Sequence, residues 1–351
     1  MEYHISGKIQ RVLCGYFRKK VLVKTVILNL THSEARDLLA VLVQYEEEDV
    51  WVELVVAGAV HAPERPLIPA IPFNLLACLD ANAERDFRFP VRGILRLVML
   101  LRLTAVVVTE RGDRCLVEET MCILMYRLSY PRRLHDMESE FGQASCALSS
   151  IFLRMVDIVD SKVEANLYFH KRLISERIDL YCTAISARAP VTGVLAFPDG
   201  TKISICRPSA RARRRAENLQ AQVYSGRKRI HCIIYQGLTA PDGLCIHFWG
   251  PYEGRRHDSI VFAASKLLAY FEENNHIFAG KAIFEWNFKL MKSTWAFISY
   301  SKGLKIRLSP VGKYVRVAMF LTNWQTCFRG GNQISTFFGL SSPSLEDYLD
   351  D

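Results

Sequence analysis

The spacing of apolar residues changes near residue 190, and that change limits the folds open to this chain. Upstream, Met121, Leu124, Met125 and Leu128 recur at i, i+3, i+4 and i+7, as do Leu148, Ile151, Phe152 and Met155. That spacing puts each set on one face of a helix, over 118–129 and 145–159. Pro131 stops the first helix, Leu134, Met137 and Phe141 mark a second, short one, and Gly142 punctuates a turn. Downstream, Val194–Phe197, Ile230–Tyr235 and Leu244–Trp249 are β-rich runs, and Pro241-Asp242-Gly243 predicts a hairpin over 230–249. Ser259–Glu273 carries Ile260, Ala264, Leu267 and Phe271 on one helical face. Ala282–Phe284 is a short apolar run, and Leu304–Leu308 alternates apolar and basic residues as a strand does. Val311–Phe328 reads as a closing helix. The order predicts an α/β domain over 191–351, preceded by a mainly helical region over 73–190.

Residues 1–72 are a poorly defined amino-terminal segment and linker. Val21–Leu30 and Val50–Val60 read as strands, Ser33–Tyr45 as a short helix, and Pro63, Pro66, Pro69 and Pro72 as an extended linker. Within 73–190 the short helix, glycine turn and longer helix match a helix-turn-helix. The longer helix would enter a DNA groove by its serine-rich amino-terminal end, with Arg127, Arg132 and Arg133 on phosphates. An ordinary helical bundle with solvated arginines fits the same pattern.

Ten cysteines occur without a C-x-x-C pair or regular spacing. This excludes a zinc cluster of the usual kind and predicts reduced thiols in the cytosol or nucleus. No secretory signal is visible, and Leu97–Val108, broken by Arg102, is too short to span a bilayer. The expectation is a nuclear or cytoplasmic protein that is not secreted and has no membrane partner.

The net charge is +9. Residues 199–258 hold eleven Lys/Arg and five Asp/Glu, and so carry +6 of that charge. Basic groups around carboxylates suit a polyanion held beside a divalent metal. Asp199 ends the first strand of the α/β domain, where such folds place reactive groups, although Pro198-Asp199-Gly200 also reads as a plain turn. Asp258 follows Gly254-Arg255-Arg256-His257 and precedes a helix, so an N-cap role competes with a ligand role. Glu285 begins a segment in which Lys289 and Lys292 lie beneath it on nearly the same helical side; the alternative is a surface ion pair. Arg211, Arg213, Arg214 and Arg215, together with Arg227, Lys228 and Arg229, are phosphate contacts or solvated loops.

These strings resemble the DDE-superfamily endonuclease domain of Harbinger-type transposases and the nuclease-like proteins derived from them. The likeness covers roughly 85–351. It runs through Phe87-Arg88-Phe89, Arg127-Leu128-Ser129-Tyr130-Pro131, Phe141-Gly142, Leu148-Ser149-Ser150-Ile151-Phe152 and Asp199-Gly200-Thr201. It continues in Tyr224-Ser225-Gly226-Arg227-Lys228-Arg229-Ile230-His231, Glu253-Gly254-Arg255-Arg256-His257-Asp258, Pro310-Val311-Gly312-Lys313-Tyr314 and Leu321-Thr322-Asn323, and ends in Pro343-Ser344-Leu345-Glu346-Asp347-Tyr348-Leu349. The resemblance implies a ribonuclease H-like mixed sheet flanked by helices. It also implies metal-dependent cleavage of DNA phosphodiesters with magnesium or manganese, and a separate DNA-binding partner protein. Asp199 matches the first acid and Glu285, with Lys292 seven residues on, the third. Asp258 matches a His-Asp pair that lies near the site without being its usual second acid. The Gly-Asp-x-x-Tyr motif that bears the second acid is missing, because Ala282-Ile283-Phe284 joins directly to Glu285-Trp286. Metal affinity follows the number and placement of charged oxygens. The resemblance therefore implies either an impaired nuclease or a catalytically inactive DNA-binding protein.

Overall fold

The computed structural model describes residues 68, 72–209, 218–278, 280, 282–283 and 290–349. The readings of Val21–Leu30, Ser33–Tyr45 and Val50–Val60, and Pro63, Pro66 and Pro69, lie outside them.

The helical region opens with α1 (Asp80–Phe87) and α2 (Val91–Leu100). A small antiparallel pair follows, β1 (Val106–Val108) and β2 (Arg114–Leu116). The next helix, α3 (Val117–Ser129), has Glu118 and Glu119 in its first turn and Arg127 in its last, the arrangement that offsets the helix dipole. It ends where Pro131 disfavours helical backbone in the preceding residue, and Tyr130 is extended there. Met121, Leu124, Met125 and Leu128 are buried, as are Cys122 and Ile123, so α3 is enclosed on more than the face its period marks. A 3-10 turn and α4 (Glu138–Phe141) lead through Gly142 into α5 (Ser145–Tyr168). Glu138 closes this short helix, turn and long helix by accepting the Ser145 N–H at 2.7 Å. Leu148, Ile151, Phe152 and Met155 are all buried. Then comes α6 (Lys171–Ser186).

The larger sheet is built from β3 (Val194–Ser204), β4 (Tyr224–Ser225, after the short α7, Leu219–Gln222), β5 (Ile230–Thr239), β6 (Cys245–Glu253) and β7 (Ala282–Ile283). The order is β4-β5-β3-β7, with β6 also on β5. β3 and β5 are antiparallel, as are β5 and β6, whereas β3 and β7 are parallel. The β6–β7 connection carries α8 (Asp258–Ala264), α9 (Leu267–Glu273) and α10 (Asn275–Phe278). After β7 come α11 (Leu290–Thr294), α12 (Val311–Phe328), α13 (Gln333–Phe338) and α14 (Leu345–Leu349). This is a mixed sheet flanked by helices after a helical region, consistent with a ribonuclease H-like fold.

One apolar core runs from Leu75 to Tyr348 and includes both the helical region and the sheet. Polar pairs fix its geometry. Arg316 on α12 meets Asp160 on α5 through Nε–Oδ1 at 2.7 Å and Nη2–Oδ2 at 2.6 Å, and Lys313 meets Asp157 at 2.7 Å. Asn323 completes the ladder at the start of β6: its Oδ1 accepts from Cys245 N at 2.9 Å and its Nδ2 donates to Cys245 O at 2.8 Å. The hairpin turn buries Asp242, which accepts from Tyr181 Oη at 2.8 Å and lies 3.2 Å from Arg177 Nε. Burial raises the Asp242 pKa.

Three elements differ from their sequence readings. Val194–Phe197 does not end at a Pro198-Asp199-Gly200 turn; β3 continues to Ser204. Pro198 is tolerated because β7 pairs only with Val194 and Ala196, leaving β3 open on that side among the described residues. Ser259–Glu273 is two helices, since Ser265 Oγ donates to Phe262 O at 2.7 Å and Lys266 takes a left-handed φ of 55°. Leu304–Leu308 is a turn, not a strand: Leu304 O accepts from Cys206 N, and Lys305 O accepts from both Leu308 N and Ser309 N. The hairpin over 230–249 and the helix Val311–Phe328 stand as read, and the apolar run that begins at Ala282 supplies β7.

Candidate active site and cationic face

Asp199 stands inside β3, in register with Gly237 of β5, and is half-buried. Gly200 follows, in register with Gln236. A Cβ on residue 200 would lie 3.2 Å from the Asp258 carboxyl carbon and from its Oδ1. A side chain there would crowd the Asp258 carboxylate, which rests close to the strand. Asp258 thus lies over the face that residue 200 addresses. The two acids flank one strand where β7 has ended, and both line a cavity of about 360 Å³ with Gln236, Ser259 and Ile283. His257 is the residue before α8, with extended backbone; Asp258 is the first helical residue, not the cap, and is exposed.

Lys292 on α11 is half-buried and donates Nζ to Lys202 O at 2.8 Å. Burial lowers its pKa, and the Asp199 carboxylate nearby acts the other way. Lys292 is thus Asp199's electrostatic neighbour. Burial raises the Cys232 thiol pKa, with Lys202 and Lys292 opposing and Asp258 adding to the rise. These charges form one cluster around the distal half of β3.

The cationic groups gather at the end of the sheet where β3 finishes, roughly 17 Å from Asp199 at about 3.3 Å per residue. β4 and β5 form a hairpin, Tyr224 opposite His231 and Ser225 opposite Ile230, with Gly226–Arg229 as its loop. Arg227, Lys228 and Arg229 are exposed on that loop, and Arg229 holds a φ of 55°. Arg255 and Arg256 follow β6 beside them: Arg255 N donates to Gln222 O at 3.2 Å. Gly254 permits this convergence, since a Cβ would sit 2.3 Å from Cys232 O and 2.4 Å from Val223 O. Arg255 is exposed, whereas Arg256 is held by Glu253 at 2.7 Å. Arg207, absent from the sequence reading, joins this end and, after burial, lowers the His231 pKa. Lys202 was also missed; its signal was the period-2 position after Gly200.

Arg211, Arg213, Arg214, Arg215, Glu285 and Lys289 lie outside the described residues. Two of the upstream arginines depart from their reading. Arg127 turns inward, over the rings of Phe152 at 5.4 Å and Phe297 at 5.2 Å, and donates to Arg132 O. Arg132 stacks 3.6 Å above Tyr126 and lies 3.6 Å from Asp86.

No group of three or more His, Cys, Asp and Glu side chains forms a metal cage among the described residues. Asp199 and Asp258 line one cavity, and the Lys292 ammonium acts on Asp199. These described residues do not by themselves fit a pair of divalent cations. A family model for the DDE superfamily endonuclease matches residues 198–284. That segment holds Asp199, Asp258 and the β4–β5 loop, and stops one residue before Glu285. No curated protein and no solved structure matches the chain. No helix among the described residues is long and apolar enough to cross a membrane.

Proposed function

We propose that this chain is a nuclease-like protein, descended from a Harbinger-type transposase, that holds DNA phosphodiesters along the distal half of β3 and cleaves them weakly or not at all. The observation that carries this reading is the neighbourhood of Asp199. An endonuclease acid there needs carboxylates around it to hold a divalent metal. Among the described residues no group of three or more His, Cys, Asp and Glu side chains gathers there, and the Lys292 ammonium acts on Asp199. A lysine beside a strand acid in a basic surface binds a phosphate oxygen without a metal.

The family reading assigns Asp199, Asp258 and Glu285 to a divalent cation, magnesium or manganese. Arg211, Arg213, Arg214, Arg215, Arg227, Lys228, Arg229, Arg255, Arg256, Lys289 and Lys292 are assigned to the DNA backbone. It also supplies a nuclear or cytoplasmic site of action and a separate DNA-binding partner protein. The catalytically inactive form of this reading is favoured by the missing second acidic motif, since Ala282-Ile283-Phe284 joins directly to Glu285 in the sequence.

The test is duplex binding and nicking of supercoiled plasmid by the full chain, with magnesium and manganese titrated. The reading predicts binding that weakens steeply with salt. It also predicts nicking that is slight or absent at every metal concentration. Rapid nicking abolished by Asp199→Asn would contradict the impaired site, and absence of duplex binding would end the reading altogether.

A further inference from the structure

Residues 286–345 contain eight Lys/Arg and no Asp or Glu. Two of those cations, Lys313 and Arg316, are neutralised by Asp157 and Asp160 of α5. Three others, Lys302, Lys305 and Arg307, are exposed and make no ion pair among the described residues. They surround the Lys305–Ser309 turn. At its tip Leu308 is 81% exposed, the most exposed large hydrophobic side chain among the described residues.

An isolated apolar residue in water needs no explanation in general. This one is held in a particular way. Leu308 N and Ser309 N both donate to Lys305 O, at 3.1 and 2.9 Å, which tightens the turn beneath it. Arg307 takes a φ of 72°, a left-handed conformation that costs a non-glycine residue energy. The turn is tethered to the sheet by Cys206 N donating to Leu304 O at 3.0 Å, just past the end of β3. A rigid turn therefore presents an apolar tip between cations, on the same end of the sheet as Arg207 and roughly 20 Å along the strand direction from Asp199.

We infer that the Lys305–Ser309 turn is a DNA wedge: Leu308 inserts at a base step and unstacks it, while Lys302, Lys305 and Arg307 hold the flanking phosphates. The inference rests on the DNA-binding reading above. Apolar side chains of this size, set among cations, are the groups that kink a duplex by partial insertion. The spread of charge favours DNA over a lipid surface, because the cations continue from this turn to Arg207 and Lys202 along the sheet end.

The experiment uses the full chain and a set of 30-base-pair duplexes, each with 2-aminopurine at one of several positions. The wild type is expected to raise 2-aminopurine fluorescence at one or a few positions. Leu308→Ser is expected to remove that rise while duplex affinity falls less than tenfold. Lys302→Gln, Lys305→Gln and Arg307→Gln together are expected to lower the slope of log affinity against log salt by about 2.7, at about 0.9 per phosphate contact. Unstacking unchanged in Leu308→Ser, or an unchanged slope in the triple variant, overturns the wedge and leaves DNA binding intact. Leu308-dependent binding to phosphatidylserine vesicles in preference to the duplexes also overturns it. Absence of duplex binding in the wild type removes the underlying reading as well.

Discussion

On α12, half-buried Arg316 meets buried Asp160 and Lys313 meets Asp157, whereas at the sheet end Arg227, Lys228 and Arg229 stand in water with no ion pair among the described residues. The residue types are the same and the physics is opposite. A buried guanidinium must be matched, or desolvation costs several kcal/mol. An exposed unmatched cation costs little and keeps its field for a ligand. The α5–α12 pairs therefore belong to the fold, and the cations on the β4–β5 loop are the ones the proposed function assigns to binding. Arg127 and Arg132, upstream, fall on the structural side of that division, because rings and carbonyls already engage them.

Breaking the buried side should give the largest effect. Asp160→Ala leaves half-buried Arg316 with only Glu164, 3.6 Å away, and should destabilise the fold by about 3 kcal/mol in a denaturant melt. The salt dependence of duplex binding should hardly change. A loss below about 1 kcal/mol would place Arg316 with the exposed class.

Acid should act on the buried side next. His247 packs beneath Tyr168, with Nδ1 donating to the Tyr168 carbonyl and Nε2 buried without a partner among the described residues. Burial holds its pKa down to about 4. The unfolded ring takes its proton near 6.5, so between about 6.5 and 4 the unfolded state binds more protons. Stability should therefore fall as pH drops through that window, by about 3 kcal/mol at 1.36 kcal/mol per pH unit, and level off below it. A His247→Gln variant should show a flatter profile over the same range.

The exposed side should respond in the other observable. Arg227→Gln, Lys228→Gln and Arg229→Gln together should leave the melt within about 0.5 kcal/mol of wild type. The same variant should lower the salt slope of duplex binding by up to about 2.7. An unchanged slope would remove the β4–β5 loop from the interface.

The legible parts of the sequence were those where periodicity has no rival. Met121 to Leu128 and Leu148 to Met155 repeat long enough to mark α3 and α5, and Pro241-Asp242-Gly243 marks the hairpin. Turn chemistry misled at Pro198-Asp199-Gly200, where pairing with β5 carries the strand through a sequence that favours a bend. Alternation misled at Leu304–Leu308, because no partner strand lies there and backbone bonds close a turn instead. Asp199 and Asp258 could be picked out as acids in a basic stretch. Their meeting at one cavity depends on strand register and on the close approach of Asp258 to Gly200, which spacing does not encode. The inward turn of Arg127 depends on Phe152 and Phe297, partners 25 and 170 residues away that no local pattern names.

The central claim is that the distal half of β3 holds phosphodiesters without tightly holding metal. Calorimetric titration of manganese into the full chain tests it most directly. The account predicts no saturable uptake tighter than about millimolar, a range typical of sites with few charged oxygens. Micromolar binding of two ions per chain, lost on Asp199→Asn, would contradict it.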